Sequence, residues 1–189
     1  MKNAVQLSHH HLDQLINLFP AGIFIDATLG NGHDTAFILQ HPAFKGKVIA
    51  FDIQHQAIRS SQEKLAGFPV EHYQLLEASH DQFDQFVSIL DYPIVHGAVF
   101  NLGYLPGGDH QMTTRPSSTQ SAIEQIANRL VKGGQIIVVI YSGHPQGLEE
   151  KQVLLESFTS WSQQEFQISH LEYINQKNTP PSLLIIEKI

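Results

Sequence analysis

Two aspartates stand where strands should end. Asp26 closes the apolar run Ile23-Phe24-Ile25, and Asp52 closes Lys47-Val48-Ile49-Ala50-Phe51. Between them, Ala27-Thr28-Leu29-Gly30-Asn31-Gly32 reads as a tight turn, since glycine permits left-handed backbone and close approach of a ligand. Asp34-Thr35 then falls near the opening of a helix, where free amides receive polar ligand groups. A carboxylate at position 52 can accept both hydroxyls of a ribose. A dinucleotide site asks for G-x-G-x-x-G, but residue 35 is Thr, and Asp26 would oppose a pyrophosphate. No Gly-Lys-Ser/Thr follows the turn, which excludes a Walker loop. Asp26 suits a ligand carrying an ammonium and a sulfonium, so these residues favour S-adenosylmethionine. The competing reading is that Gly30 and Gly32 only shape a turn.

A second Gly/Pro-rich loop, Asn101-Leu102-Gly103-Tyr104-Leu105-Pro106-Gly107-Gly108-Asp109, follows the apolar run 94–100. It resembles the Asn-Pro-Pro-Tyr box of amino-group methyltransferases, with Leu102 and Gly103 in place of the two prolines. That resemblance implies that Asn101 and the Leu102 carbonyl accept hydrogen bonds from a target amine while Tyr104 stacks on a base. The competing reading makes Asn and Gly ordinary turn-formers. Asp109, His110 and His144 are candidate proton acceptors. Tyr141 and His144 follow the next strand and are candidate walls of the same pocket, with core packing open for Tyr141. Thr113-Thr114-Arg115 could hold a phosphate, since Arg and hydroxyls suit oxyanions, whereas Ser117, Ser118 and Thr119 are N-cap residue types. His9-His10-His11 lacks a carboxylate partner in sequence and reads as a solvated face, with no metal site.

These loops need a sheet to hold them. Leu12, Leu15, Ile16 and Phe19 share one helical face closed by Pro20, and helices are expected over 33–40 and 56–65. Strands are expected at 23–25, 47–52, 70–76, 94–101 and 135–141. Ile123, Ile126, Ala127, Leu130 and Val131 repeat at helical spacing, with Gly133-Gly134 as the stop. Leu154, Leu155, Phe158 and Trp161 mark another helix, and strands near 166–173 and 183–187 close the chain. Alternating strands and helices imply a parallel sheet with right-handed crossovers. Two final strands without a helix between them imply an antiparallel edge. One domain, 1–189, is expected.

The chain has 11 Lys+Arg against 18 Asp+Glu, for a formal charge of −7. That balance opposes broad phosphate binding, so any nucleic-acid contact must be local or shared across an oligomer such as a homodimer. No apolar run reaches the roughly 18 residues of a membrane helix, and the absence of cysteine removes thiolate chemistry. A soluble cytoplasmic protein is the expectation.

Taken together, 26–35, Phe-Asp-Ile-Gln (51–54), Ser79-His80, 101–109, Tyr-Ser-Gly-His-Pro-Gln-Gly (141–147) and Asn-Gln-Lys-Asn-Thr-Pro-Pro (175–181) resemble the YtqB-like family of rRNA methylases. The assigned activity of that family, as the MnmM-type enzyme, is methylation of 5-aminomethyl-2-thiouridine at the tRNA wobble position. The resemblance implies a Rossmann-like class I methyltransferase with a seven-stranded, mostly parallel sheet, an antiparallel C-terminal strand and helices on both faces. It implies S-adenosylmethionine, with S-adenosylhomocysteine as product, held by Asp26, Thr28, Gly30, Asn31, Gly32, Asp34, Thr35, Asp52, Ile53, Gln54, Ser79, His80, Asn101, Leu102 and Gly103. It implies catalysis around Asn101, Tyr104 and Asp109, and a tRNA anticodon loop against Tyr104, Pro106, Arg115, Tyr141 and His144. An rRNA or small-amine substrate, or a non-catalytic cofactor-binding module, are the rival readings.

Overall fold

The computed structural model describes residues 2–103 and 114–189. The first helix, α1 (Ala4–Leu18), starts on a capping box: Asn3 Oδ1 accepts the Gln6 amide and Gln6 Oε1 accepts the Asn3 amide. Its buried face carries Leu12, Leu15 and Ile16, as the spacing predicts. Then follow β1 (Ile23–Asp26), α2 (His33–Gln40), β2 (Lys47–Asp52), α3 (His55–Leu65), β3 (Tyr73–Glu77), α4 (Phe83–Phe86), β4 (Val95–Leu102), α5 (Pro116–Asn128), β5 (Leu130–Ile140), α6 (Pro145–Phe158), β6 (Phe166–Leu171) and β7 (Ser182–Lys188).

One seven-stranded sheet runs in the order β3-β2-β1-β4-β5-β7-β6. Five strands are parallel neighbours, and β7 is antiparallel to both β5 and β6. Strand alternation divides the core in two. Phe24, Val48, Val99, Ile137 and Val139 face α1 and α2, while Ile49, Phe51, Ala98, Phe100, Ile136 and Val138 face α5 and α6. Helices therefore cover both faces. The strand order reverses between β1 and β4, the place where an open α/β sheet binds its ligand. Among the described residues, no helix is long and apolar enough to cross a membrane.

Several local expectations are corrected. Residues Val70–His72 form a 3-10 turn behind Pro69, not the start of a strand. Helix α5 ends at Asn128, and Gly133-Gly134 lies inside β5. Leu130 and Val131 satisfy helical spacing, but Leu130 pairs with Val95, and the register then shifts so that Gly97 meets Gln135. Gly133 takes φ +78 in that irregularity, a conformation that favours glycine. The cap of α5 is Arg115 with Pro116 behind it, and no side chain caps the helix. Ser118 Oγ instead donates to the Arg115 carbonyl, and Thr119 is buried against Glu150. Trp161 lies beyond α6 but packs edge-on against Phe158 at 4.9 Å.

Candidate active site

The turn after β1 is held by its own acids. Asp26 is fully buried, and its carboxylate accepts the Thr35 hydroxyl at 2.7 Å and the Thr35 and Thr28 amides at 3.2 and 3.3 Å. Burial, with the charge of Asp34 second, pushes the Asp26 carboxyl up to about 7. Asp52 Oδ2 accepts the Gly30 amide and Oδ1 the Gln54 amide, both at 2.9 Å, tying the turn to the end of β2. Burial raises the Asp52 pKa, and these amide bonds act against the rise. Gly32 sits at φ +71, and a Cβ there would lie 2.9 Å from Ser61 Oγ, so a larger residue would both strain the backbone and crowd α3. Asn31 Oδ1 accepts from Ser60 Oγ at 3.4 Å, and Ile53 stands 52% exposed past the strand end.

Ser79 precedes a short 3-10 turn beginning at His80. His80 Nδ1 donates to the Ala27 carbonyl at 3.0 Å, which leaves Nε2 as a buried acceptor without a partner. Burial lowers the His80 pKa, so the neutral ring is favoured.

At the end of β4, the Asn101 amide donates to Thr28 Oγ1 at 2.7 Å, locking this strand end to the turn. Asn101 Nδ2 donates to Asp34 Oδ2. The other oxygen of Asp34 lies 2.7 Å from His9 Nε2, and the His9 ring stacks on Phe37 with centroids 4.1 Å apart. Asn101 Oδ1 is buried and has no hydrogen-bond partner among the described residues. His9 is thus the first residue of a chain that ends at Asn101, and the solvated reading of 9–11 is corrected. His11 Nδ1 likewise meets Gln135 Oε1 at 3.0 Å, while His10 is exposed.

Leu102 is buried and Gly103 is half-buried. Gly103 and Thr114 close the base of the second loop, through Thr114 N to Gly103 O at 3.2 Å and Gly103 N to Thr114 Oγ1 at 3.1 Å. Thr114 Oγ1 in turn donates to Glu150 Oε2 at 2.8 Å, and Thr119 Oγ1 to Oε1 at 2.7 Å. Glu150, on α6 and only 3% exposed, has its pKa raised by burial. Nothing in the sequence singled it out. Tyr104, Pro106, Asp109, His110 and Thr113 lie outside the described residues.

Arg115 is exposed at the start of α5. His144 is the N-cap of α6, its Nδ1 accepting the Gly147 amide at 3.1 Å. Gly147 is held so closely that a Cβ would stand 1.9 Å from the Tyr141 carbonyl. Tyr141 is 38% exposed at the end of β5, where burial and the nearby charge of Asp34 raise its pKa.

A doubly covered sheet with a glycine turn, an acid closing β2 and a polar strand end at β4, all at the reversal of strand order, defines the class I methyltransferase fold. Residues 48–187 match the model of the family described as "Putative rRNA methylase", and the chain belongs to that family. A "putative rRNA-methylase" from Clostridium thermocellum is 38% identical, with a TM-score of 0.92 over 100% of this chain and 99% of that one. A "putative methyltransferase" from Streptococcus mutans, solved in complex with SAH, is 36% identical, with a TM-score of 0.87 over 100% of this chain and 99% of that one. An Arabidopsis thaliana chloroplastic "tRNA (mnm(5)s(2)U34)-methyltransferase" is 36% identical over 84% of this chain, which spans 60% of that protein's length.

Proposed function

We propose that this chain is an S-adenosylmethionine-dependent N-methyltransferase that converts 5-aminomethyl-2-thiouridine to 5-methylaminomethyl-2-thiouridine at the tRNA wobble position. The observation that carries the reading is Asn101 Oδ1, a buried acceptor with no donor among the described residues. Such a group costs about 1–3 kcal/mol when left bare, and a primary amine supplies the N–H it lacks. Family membership and the S. mutans complex with SAH support the cofactor, and the Arabidopsis relative's name supports the substrate.

The residues fit that cofactor. Gly30 and Gly32 give the turn its left-handed backbone at φ +51 and +71, the Asp52 carboxylate at the end of β2 would accept ribose hydroxyls, and exposed Ile53 offers an apolar surface to adenine. The bare His80 Nε2 is an acceptor for a donor on the ligand. When bound, the cofactor supplies an electrophilic methyl on a sulfonium. Asn101 Oδ1 accepts one N–H of the neutral amine, leaves its lone pair free, and fixes its direction; placement of this kind supplies much of the rate. The family resemblance adds Tyr104 as the residue for stacking on the base and Asp109 as a candidate proton acceptor, both outside the described residues.

Nucleoside analysis of tRNA from cells lacking the gene tests the proposal. Accumulated 5-aminomethyl-2-thiouridine is expected. An undiminished methylaminomethyl nucleoside, with no redundant enzyme present, overturns it.

A further inference from the structure

An acidic protein that acts on RNA must hold it with little help from phosphate contacts. A cleft of about 280 Å³ lies between the start of α1, the end of β5 and the segment after β6, lined among others by Lys2, Tyr141, Tyr173, Gln176, Pro180 and Pro181. One of its walls, Tyr141, stands near the end of β4, where a Cβ built on Gly103 would lie 4.0 Å from Tyr141 Cδ2. The Tyr173 hydroxyl donates to the Lys2 carbonyl, and Pro180-Pro181 have restricted backbones. Thr179 precedes them at φ +40, a left-handed conformation rare for threonine and held here beside the cleft.

The segments that line this cleft carry no acid of their own, although the charge of Asp34 reaches Tyr141. The chain carries −7 overall, yet residues 2–12, 141–148 and 173–181 contain no Asp or Glu, and they bring Lys2 and Lys177. The adjoining Glu172 is matched by Lys151 at 2.5 Å. Aromatic and proline faces beside a few cations suit a nucleobase with its phosphate at the rim, since stacking needs no net positive charge.

Resting on the N-methyltransferase reading, we propose that this cleft is a subsite for the nucleobase next to the target nucleotide in a single-stranded loop. The occupant stacks on Tyr173 and Tyr141, with its backbone phosphate toward Lys2 and Lys177.

The test uses the full chain and anticodon stem-loop RNA bearing the aminomethyl target, with 2-aminopurine on one or the other side of it. Fluorescence should be quenched on binding at one of the two positions. Tyr173→Ala should abolish that quench and raise KM by roughly 5- to 150-fold, the range of one lost base stack. Tyr173→Phe, which keeps the ring, should restore both. SAH affinity and the melting temperature report whether each variant folds, and if Tyr173→Ala does not, Lys177→Glu should raise KM on its own. RNA that is methylated without quenching at either position overturns the cleft and leaves the methyl-transfer reading intact. RNA that is neither bound nor methylated by the wild type overturns both.

Discussion

Asp34 accepts the side-chain N–H of Asn101, and a carboxylate can accept only from the nitrogen end of that amide. The contact therefore fixes which end of Asn101 is left over: the oxygen, buried and unpartnered among the described residues. His9 holds Asp34 from the other side, so a residue on α1 sets the orientation of a group at the end of β4.

That chain of contacts separates orientation from binding. Asn101→Ala should lower kcat by about 100-fold or more, the scale of a misplaced reacting group, far more than it lowers cofactor affinity. Asp34→Asn should lower kcat less, because the amide can then rotate between two states. Single-turnover methylation assays with calorimetric cofactor binding check both, and equal losses in affinity and turnover would reject the division.

Asp52→Ala should weaken cofactor binding by about 1.5–3 kcal/mol for each charge-assisted hydrogen bond to the ligand. Its effect is compounded by release of Gly30 N and Gln54 N, which both depend on that carboxylate. Calorimetry with S-adenosylhomocysteine reads the change. A folded variant with wild-type affinity would remove Asp52 from the ribose site.

Gly32→Ala should destabilise the protein by about 1–2 kcal/mol from left-handed backbone alone, and more from crowding of Ser61. Urea denaturation measures this, and Gly67→Ala, where a Cβ meets nothing within 4 Å, is the matched control.

Much of this arrangement was legible in the sequence, and the gaps have physical causes. The bounds of α2 and β2 follow from residue pattern because Gly32 and Asp52 punctuate them sharply. The boundary between α5 and β5 was lost because Leu130 and Val131 fit a helical repeat, and only pairing with β4 decides for strand. His9 looked solvated because its partner is 25 residues away on another helix. Glu150 carried no signal, since a lone Glu in a helix is ordinarily solvent-facing, and its burial depends on Thr114 and Thr119 arriving from elsewhere.

Asp26 predicts a pH dependence of stability. Its folded-state pKa of about 7 lies above the ordinary 3.8, so between these values the folded protein keeps a proton that the unfolded chain has lost. The unfolded state binds fewer protons across that window, and this group's contribution to stability falls as pH rises through it. Urea unfolding of the cofactor-free protein at pH 5 and pH 8 should show the decline, and Asp26→Asn should flatten it. Superimposable pH profiles for the two proteins would refute the assignment.

Glu150 gives the last test, because it grips both Thr114, at the base of the second loop, and Thr119, in the first turns of α5. Glutamine at this position offers one acceptor oxygen and one NH2 donor, so one of the two threonine hydroxyls must give up the acceptor it now has. A lost hydrogen bond to a charged group is worth about 1.5–3 kcal/mol, and here it loosens Thr114 and with it the contact of Thr114 to Gly103 at the end of β4. Glu150→Gln should accordingly raise KM for the proposed tRNA substrate while cofactor affinity stays near wild type. Burial raises the Glu150 pKa above the ordinary 4.5. Its support of the loop should therefore weaken as falling pH protonates it, starting at a higher pH than an exposed glutamate would need. KM measured against pH for wild type and Glu150→Gln checks the assignment: the wild-type value should climb toward the variant's as the solution is acidified, and a constant ratio between them would show that the carboxylate is not what anchors the loop.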